Sequence, residues 1–167
     1  MEITLDQLLA SREDRTAHQR ELQTKYPGRT LVCLTVIMPG KVKRNPQSLT
    51  VAQAAMESLT DCFEDVTDHL ETRDLQTGYE AYLLTPLPVE EAKRAVCILE
   101  DTHPLGRLFD MDVIGEDGAP VSRESVGSPL RRCLICDNEA RFCMRNRTHT
   151  QEELMAKIDQ MIAEYVQ

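Results

Sequence analysis

The chain has 167 residues, 41% of them hydrophobic, which suits one domain around one sizeable core. Its formal net charge of -9 excludes a general binder of nucleic acid or of an anionic membrane surface, since both require a long-range positive field. No stretch approaches the roughly 18 to 20 apolar residues of a membrane span, and the acidic run MEITLDQLLASRED is unlike a signal peptide, so a cytoplasmic protein is expected.

Leu5, Leu8, Leu9 and Leu22 recur at helical spacing among charged residues. They predict an amphipathic helix over residues 5–24, with Arg12, Arg15 and Arg20 facing solvent, that ends before Pro27-Gly28. The β-branched run TLVCLTVIM from Thr30, bounded by Gly28 and Pro39-Gly40, predicts a mostly buried strand. After the loop GKVKRNPQ, Val51, Ala54, Ala55, Leu59 and Phe63 predict a second helix from Ser48 to about His69, with Ser48 as its N-cap. Gly78 opens a strand, GYEAYLLT. Pro86 and Pro88 introduce a third helix, PVEEAKRAVCILEDT, whose acidic first turn suits the helix dipole. The segment LGRLFDMDVIGEDGAPVSRE predicts two strands joined by a turn at Glu116-Asp117-Gly118. A last helix runs from about Gln151 to Tyr165, capped by Thr150, with Leu154, Ile158, Met161, Ile162 and Tyr165 on its apolar face. Together these elements describe an α+β fold. It is a single domain over residues 1–167, a small mixed sheet with helices packed on it, ending in a helical segment rich in cysteine and arginine over residues 127–167.

The segment Gly106 to Ile114 carries the clearest chemical pattern. Strand alternation turns Phe109, Met111 and Val113 to the core and leaves Asp110 and Asp112 on the opposite face, about 7 Å apart. Two carboxylates so placed repel each other unless a cation answers them, and Mg²⁺ held by one or two carboxylates together with substrate phosphates is a recurring arrangement. The competing reading is a solvated outer face of an edge strand. Gly106, which would let a ligand approach the backbone, and Arg107 stand directly before the pair.

Basic groups are concentrated rather than spread. Residues 127–150 carry a balance of +3, whereas residues 1–126 sum to -9 and residues 151–167 to -3. The loop PGKVKRN sets Lys41, Lys43 and Arg44 between a strand end and a helix start, where anion-binding groups are common, although it lacks the glycine spacing of a phosphate-binding loop. It reads either as a phosphate clamp or as a solvated turn. Arg107, Arg123, Arg131 and Arg132 are further phosphate candidates, because a guanidinium matches phosphate geometry in a bidentate way.

Six cysteines in a reducing compartment are thiols, not disulfides. Cys33, Cys62 and Cys97 lie in apolar patterns and read as small core residues. Cys133, Cys136, Cys143 and His149, in CLICDNEARFCMRNRTH, offer three thiolates and an imidazole, a tetrahedral zinc set. Reduced thiols packing a helical turn, or a redox or nucleophilic role, are the alternatives. Arg141, Arg145 and Arg147 can share one side of a short helix, suited to an acidic carrier protein or to phosphates.

The segments HPLGRLFDMDVI, Ser122-Arg123 and RRCLICDNEARFCMRNRTH, with LLASREDRTAHQREL and LTVIMPGKVKRN, together resemble the citrate lyase holo-acyl-carrier-protein synthase family over nearly the whole chain. That family is also called apo-citrate lyase phosphoribosyl-dephospho-CoA transferase. The resemblance implies that 2'-(5''-triphosphoribosyl)-3'-dephospho-CoA is the donor and a serine of the acyl-carrier (gamma) subunit of citrate lyase the acceptor, with pyrophosphate leaving. It would assign Mg²⁺ and chemistry to Asp110 and Asp112. Phosphates would fall to Arg107, Lys41, Lys43, Arg44 and Arg123, and carrier docking or phosphate binding to Arg141, Arg145 and Arg147. The Asp-x-Asp also resembles nucleotidyltransferases of the polymerase-β type, including the malonate decarboxylase counterpart, an analogy at the level of fold. Two rival functions are a non-catalytic module that binds the carrier or citrate lyase, and a generic Mg²⁺-dependent nucleotide hydrolase.

Overall fold

The computed structural model describes all 167 residues. Thr30–Val36 (β1) is apolar on both sides, with Leu31, Val32, Cys33 and Leu34 all buried, and it lies inside a four-stranded sheet. Its neighbours are Gly78–Thr85 (β3) and Phe109–Ile114 (β4), and His69–Leu75 (β2) lies beyond β3, giving the order β2-β3-β1-β4. All three ladders are antiparallel. The expected α+β class holds, but the sheet is not mixed.

Five helices flank it: Leu5–Lys25 (α1), Pro46–Cys62 (α2), Val89–Thr102 (α3), Ala140–Asn146 (α4) and Gln151–Tyr165 (α5). The second helix corrects the sequence reading at both ends. Asn45 is the N-cap and Pro46 the first helical residue, while Ser48 closes the capping box from inside. The helix stops at Cys62, where Phe63 caps it and Asp65 turns with φ 67°, so the residues from His69 onward are free to form β2. Of the two strands expected around Asp117-Gly118 only β4 forms, and the return segment makes a single bridge, Ile114 to Pro120. Cys33 and Cys97 are buried as expected, but Cys62 is exposed.

One sheet face carries the main core. Val32, Leu34, Ala81, Leu83, Met111 and Val113 pack there with Leu59 and Phe63 from the α2 end, Val96 of α3 and Ile158 of α5. Burying such side chains stabilises the fold by about 1.5–3 kcal/mol each. The other face has a smaller apolar patch of Leu22, Leu31, Cys33, Tyr82, Leu84 and Ile114. Here α1 is the covering helix, and it contradicts the leucine-faced amphipath. Leu5 and Leu9 are exposed, and the buried or half-buried stripe is Ser11, Arg15, His18 and Leu22.

Candidate active site

Asp110 and Asp112 share the α1 side of the sheet, as the alternation requires, while Phe109, Met111 and Val113 are buried on the other. The ladder register extends this face into rows. Asp110, Thr35 and Glu80 lie side by side across β4, β1 and β3, and Asp112, Cys33 and Tyr82 form the next row. Thr35 Oγ1 donates to Asp110 Oδ2 at 3.4 Å. Burial, and then the neighbouring Asp110 charge, push the Asp112 carboxyl up to about 6. Cys33 is no nucleophile, because burial pushes its thiol up to about 12. A half-buried pair of repelling carboxylates beside a hydroxyl is an oxygen donor set that fits a hard divalent cation.

Asp110 also opens onto a cavity of about 490 Å³ that reaches the C-terminal segment. Lys43 and Arg107 line it together with Asp110, and its apolar wall includes Met38, Leu134, Met144 and Leu154. Asp112 lies outside this cavity, one step further under α1. Lys43 donates to the Met38 carbonyl at 2.6 Å, and burial, then Arg12, hold its ammonium below the ordinary lysine range. Arg107 donates through Nε to the Arg132 carbonyl at 2.6 Å. Lys41 is exposed and does not line the cavity, whereas Arg44 is engaged on both oxygens of Asp74, at 2.9 and 3.0 Å.

The structure gives other arginines a different task. Arg123 is only 8% exposed and donates to Glu100, to both oxygens of Asp101 and to the Pro129 carbonyl. Arg131 bonds the Phe109 and Gly106 carbonyls and pairs with Glu100. Glu100 in turn accepts the Met111 N–H at 3.0 Å, the backbone group between the two aspartates. Buried acid and guanidinium thus satisfy the outer edge of β4 and fix the strand that carries the pair. Gly106 serves the same junction rather than a ligand: a Cβ there would stand 2.4 Å from the Glu100 carbonyl oxygen.

Sequence reasoning passed over Thr35, Glu80 and Glu100, and read Arg15 as facing solvent. Glu80 is 2% exposed, accepts from Tyr82 Oη at 2.6 Å and pairs with Arg15 Nε at 3.2 Å, so Arg15 is not a solvent-facing charge. The usable signal was an acid inside GYEAYLLT, alternating with Tyr82 in an otherwise buried strand.

Cys133, Cys136, Cys143 and His149 converge, their donor atoms all within 4.8 Å of one another. A tight turn builds the cluster: Cys133 N–H donates to the Asn138 carbonyl at 2.7 Å and Ile135 N–H to the Cys133 sulfur at 3.4 Å. Donation from the Asn138 backbone N–H, then the nearness of the His149 ring, pulls the Cys136 thiol down to about 6. For Cys133, burial is outweighed by the backbone N–H groups of Cys136 and Ile135, and that thiol also moves down. His149 Nε2 is buried with no hydrogen-bond partner, and its Nδ1 stands 3.9 Å from a Glu153 oxygen. An orphaned imidazole nitrogen among easily ionised thiols, with a carboxylate behind the ring, can bind a metal such as zinc. His149, Cys133 and Cys143 also border the Asp110 cavity.

On the outer side of this cluster α4 exposes Arg141, Arg145 and, just past its end, Arg147, beside exposed Phe142 and Met144. No helix is long and apolar enough to cross a membrane.

Residues 3–165 match the family model described as apo-citrate lyase phosphoribosyl-dephospho-CoA transferase. A Vibrio cholerae protein named probable apo-citrate lyase phosphoribosyl-dephospho-CoA transferase is 38% identical over 99% of this chain and 94% of its own length. A Streptococcus pyogenes protein of the same name is 35% identical over 96% of this chain and 85% of its own. Protein CitXG of Haemophilus influenzae is 37% identical over 95% of this chain, in a match that spans 35% of that longer protein. By sequence over almost its full length, the chain belongs to the apo-citrate lyase phosphoribosyl-dephospho-CoA transferase family.

Proposed function

We propose that this protein is a nucleotidyltransferase that moves the phosphoribosyl-dephospho-CoA group from its triphosphate donor onto a serine of the apo acyl-carrier subunit of citrate lyase. The observation that carries the chemistry is the placement of Asp110 in the lining of a cavity it shares with Lys43 and Arg107. The half-apolar cavity suits part of a CoA-like donor, and the two cations suit its phosphates.

Asp110 and Asp112 would hold Mg²⁺, which when bound neutralises phosphate charge and so eases in-line displacement. The serine oxygen attacks the phosphorus next to the ribose. A new P–O bond forms there, the bond to the second phosphate breaks, and its electron pair leaves with pyrophosphate. Asp110, exposed to the cavity, accepts the hydroxyl proton. Lys43 and Arg107 orient the triphosphate, with exposed Lys41 two residues from Lys43 as a further cation; Arg44 and Arg123 are already engaged by carboxylates and take a supporting role. Zinc on Cys133, Cys136, Cys143 and His149 would fix the wall of the cavity. Arg141, Arg145 and Arg147, with Phe142 and Met144, form the surface for an acidic carrier. All six cysteines are free thiols, which suits a reducing cytoplasm.

The test is incubation of apo carrier with the synthetic donor, Mg²⁺ and this protein. Transfer adds the mass of the group to the carrier serine and releases one pyrophosphate. A carrier complex without mass gain identifies a binding module, and pyrophosphate release without any carrier identifies a hydrolase; either result overturns the reading.

A further inference from the structure

Helix α1 lies over the sheet on a polar stripe. Apart from Leu22, its inward groups include Ser11, which donates to Thr77 at 3.0 Å, Arg15 on Glu80, His18 on Glu71, and Gln23 on the Gly115 carbonyl. Burying charge in this way is costly unless the charge has a use, because apolar side chains would hold the helix at less desolvation cost. Two ion pairs of this molecule show what is distinctive. Arg44 meets Asp74 through Nε and Nη2 together, the fork geometry of a structural tie. Arg15 meets Glu80 through Nε alone, and neither of its amino groups has a protein acceptor. Its side chain is 26% exposed over a carboxylate that is 3% exposed.

We propose that Arg15 is a phosphate-binding residue of the transfer site and that Glu80 is the positioning residue that aims it. This rests on the transferase reading and adds a residue to it. Glu80 occupies the same cross-strand row as Asp110, with only Thr35 between them, so α1 brings the guanidinium over the acid face. The Tyr82 hydroxyl holds one Glu80 oxygen at 2.6 Å while Arg15 takes the other. Both Glu80 oxygens are thus engaged, which fixes the carboxylate, and the two amino groups of Arg15 have no protein acceptor. Two free donors of a fixed guanidinium match two oxygens of one phosphate, and the ligand they fit is the pyrophosphate portion of the donor, the part that becomes the leaving group.

The experiment compares wild type with Arg15→Gln, Arg15→Lys, Glu80→Gln and, as a control on the solvent side of α1, Arg20→Gln. It measures donor and carrier KM separately, and titrates each protein with magnesium pyrophosphate by calorimetry. Arg15→Gln should raise the donor KM and weaken pyrophosphate binding by about tenfold or more, while the carrier KM stays unchanged. Arg15→Lys should recover part of the loss, Glu80→Gln should fall between, and Arg20→Gln should match wild type. A purely structural tie predicts a lower Tm with donor KM and pyrophosphate affinity intact in Arg15→Gln, and that result overturns the proposal. If Arg15→Gln does not fold, Arg15→Lys decides in its place, and wild-type values for both quantities overturn the proposal. Should wild type transfer nothing to the carrier, the transferase reading fails by itself. The pyrophosphate titration then judges Arg15 alone: weaker binding by the variant supports the assignment, while equal binding, or none by wild type, overturns it.

Discussion

On one face of the sheet, Val32, Leu34, Ala81, Leu83, Met111 and Val113 meet α2, α3 and α5 in an apolar core. On the other, the apolar patch ends at Cys33, Tyr82 and Ile114; Asp112 shares the row of Cys33 and Tyr82, and Thr35, Glu80 and Asp110 form the row beyond, under a helix that turns polar groups inward. The same four strands build both faces, so alternation along each strand separates the two roles. The apolar face supplies stability. The polar face spends some of it, because Asp112 is held in a position where its charge is disfavoured.

Substitutions on the two faces should therefore fail differently. The largest effect is expected for Asp110→Asn, with transfer falling at least about 1,000-fold while the thermal unfolding profile stays near wild type; pyrophosphate release checks the first and calorimetry the second. Glu100→Ala should cost about 3–5 kcal/mol of stability. It leaves Arg123 with one acid partner fewer, Arg131 without its only one, and the Met111 N–H unsatisfied, as urea denaturation would show. Leu59→Ala on the apolar face should cost about 2–5 kcal/mol, with the donor KM of the remaining folded protein unchanged. The smallest effect carries the opposite sign. Because the folded Asp112 carboxyl is raised from 3.8 to about 6, the metal-free protein loses stability as pH rises through that interval. Asp112→Asn, which carries no charge, should then be the more stable protein at pH 7.5 by on the order of 1–2 kcal/mol. That gain should vanish toward pH 4 and coincide with loss of transfer. Two aspartates merely exposed on an outer strand predict neither the gain nor the loss.

The elements with strong periodic or capping signals were readable in the sequence. The two-residue alternation of FDMDVI placed both aspartates on one face, and the Thr150 cap and apolar spacing of α5 stand as read. The edge strand β2, HLETRDL, was not readable, because it is half-buried or exposed along its length and carries no apolar alternation to distinguish it from a continuing helix. The end of α2 lacks a glycine or proline stop; the turn at Asp65 is made by an aspartate in a left-handed conformation. At the site, the cysteine and histidine spacing led to a real cluster because its members are close in sequence. Arg15 with Glu80, and Arg123 with Glu100, are 65 and 23 residues apart, and only the packing of helix on sheet reveals which arginine meets a buried acid.

The central claim is that the polar face gathers a divalent cation and the donor's phosphates between Asp110 and Asp112. Anomalous diffraction from crystals soaked in Mn²⁺ with pyrophosphate tests it most directly. The account predicts a manganese peak bonded to carboxylate oxygens of both aspartates, with pyrophosphate oxygens completing its ligands. A peak confined to other acidic groups, with Asp110 and Asp112 contacting only protein and water, would contradict it.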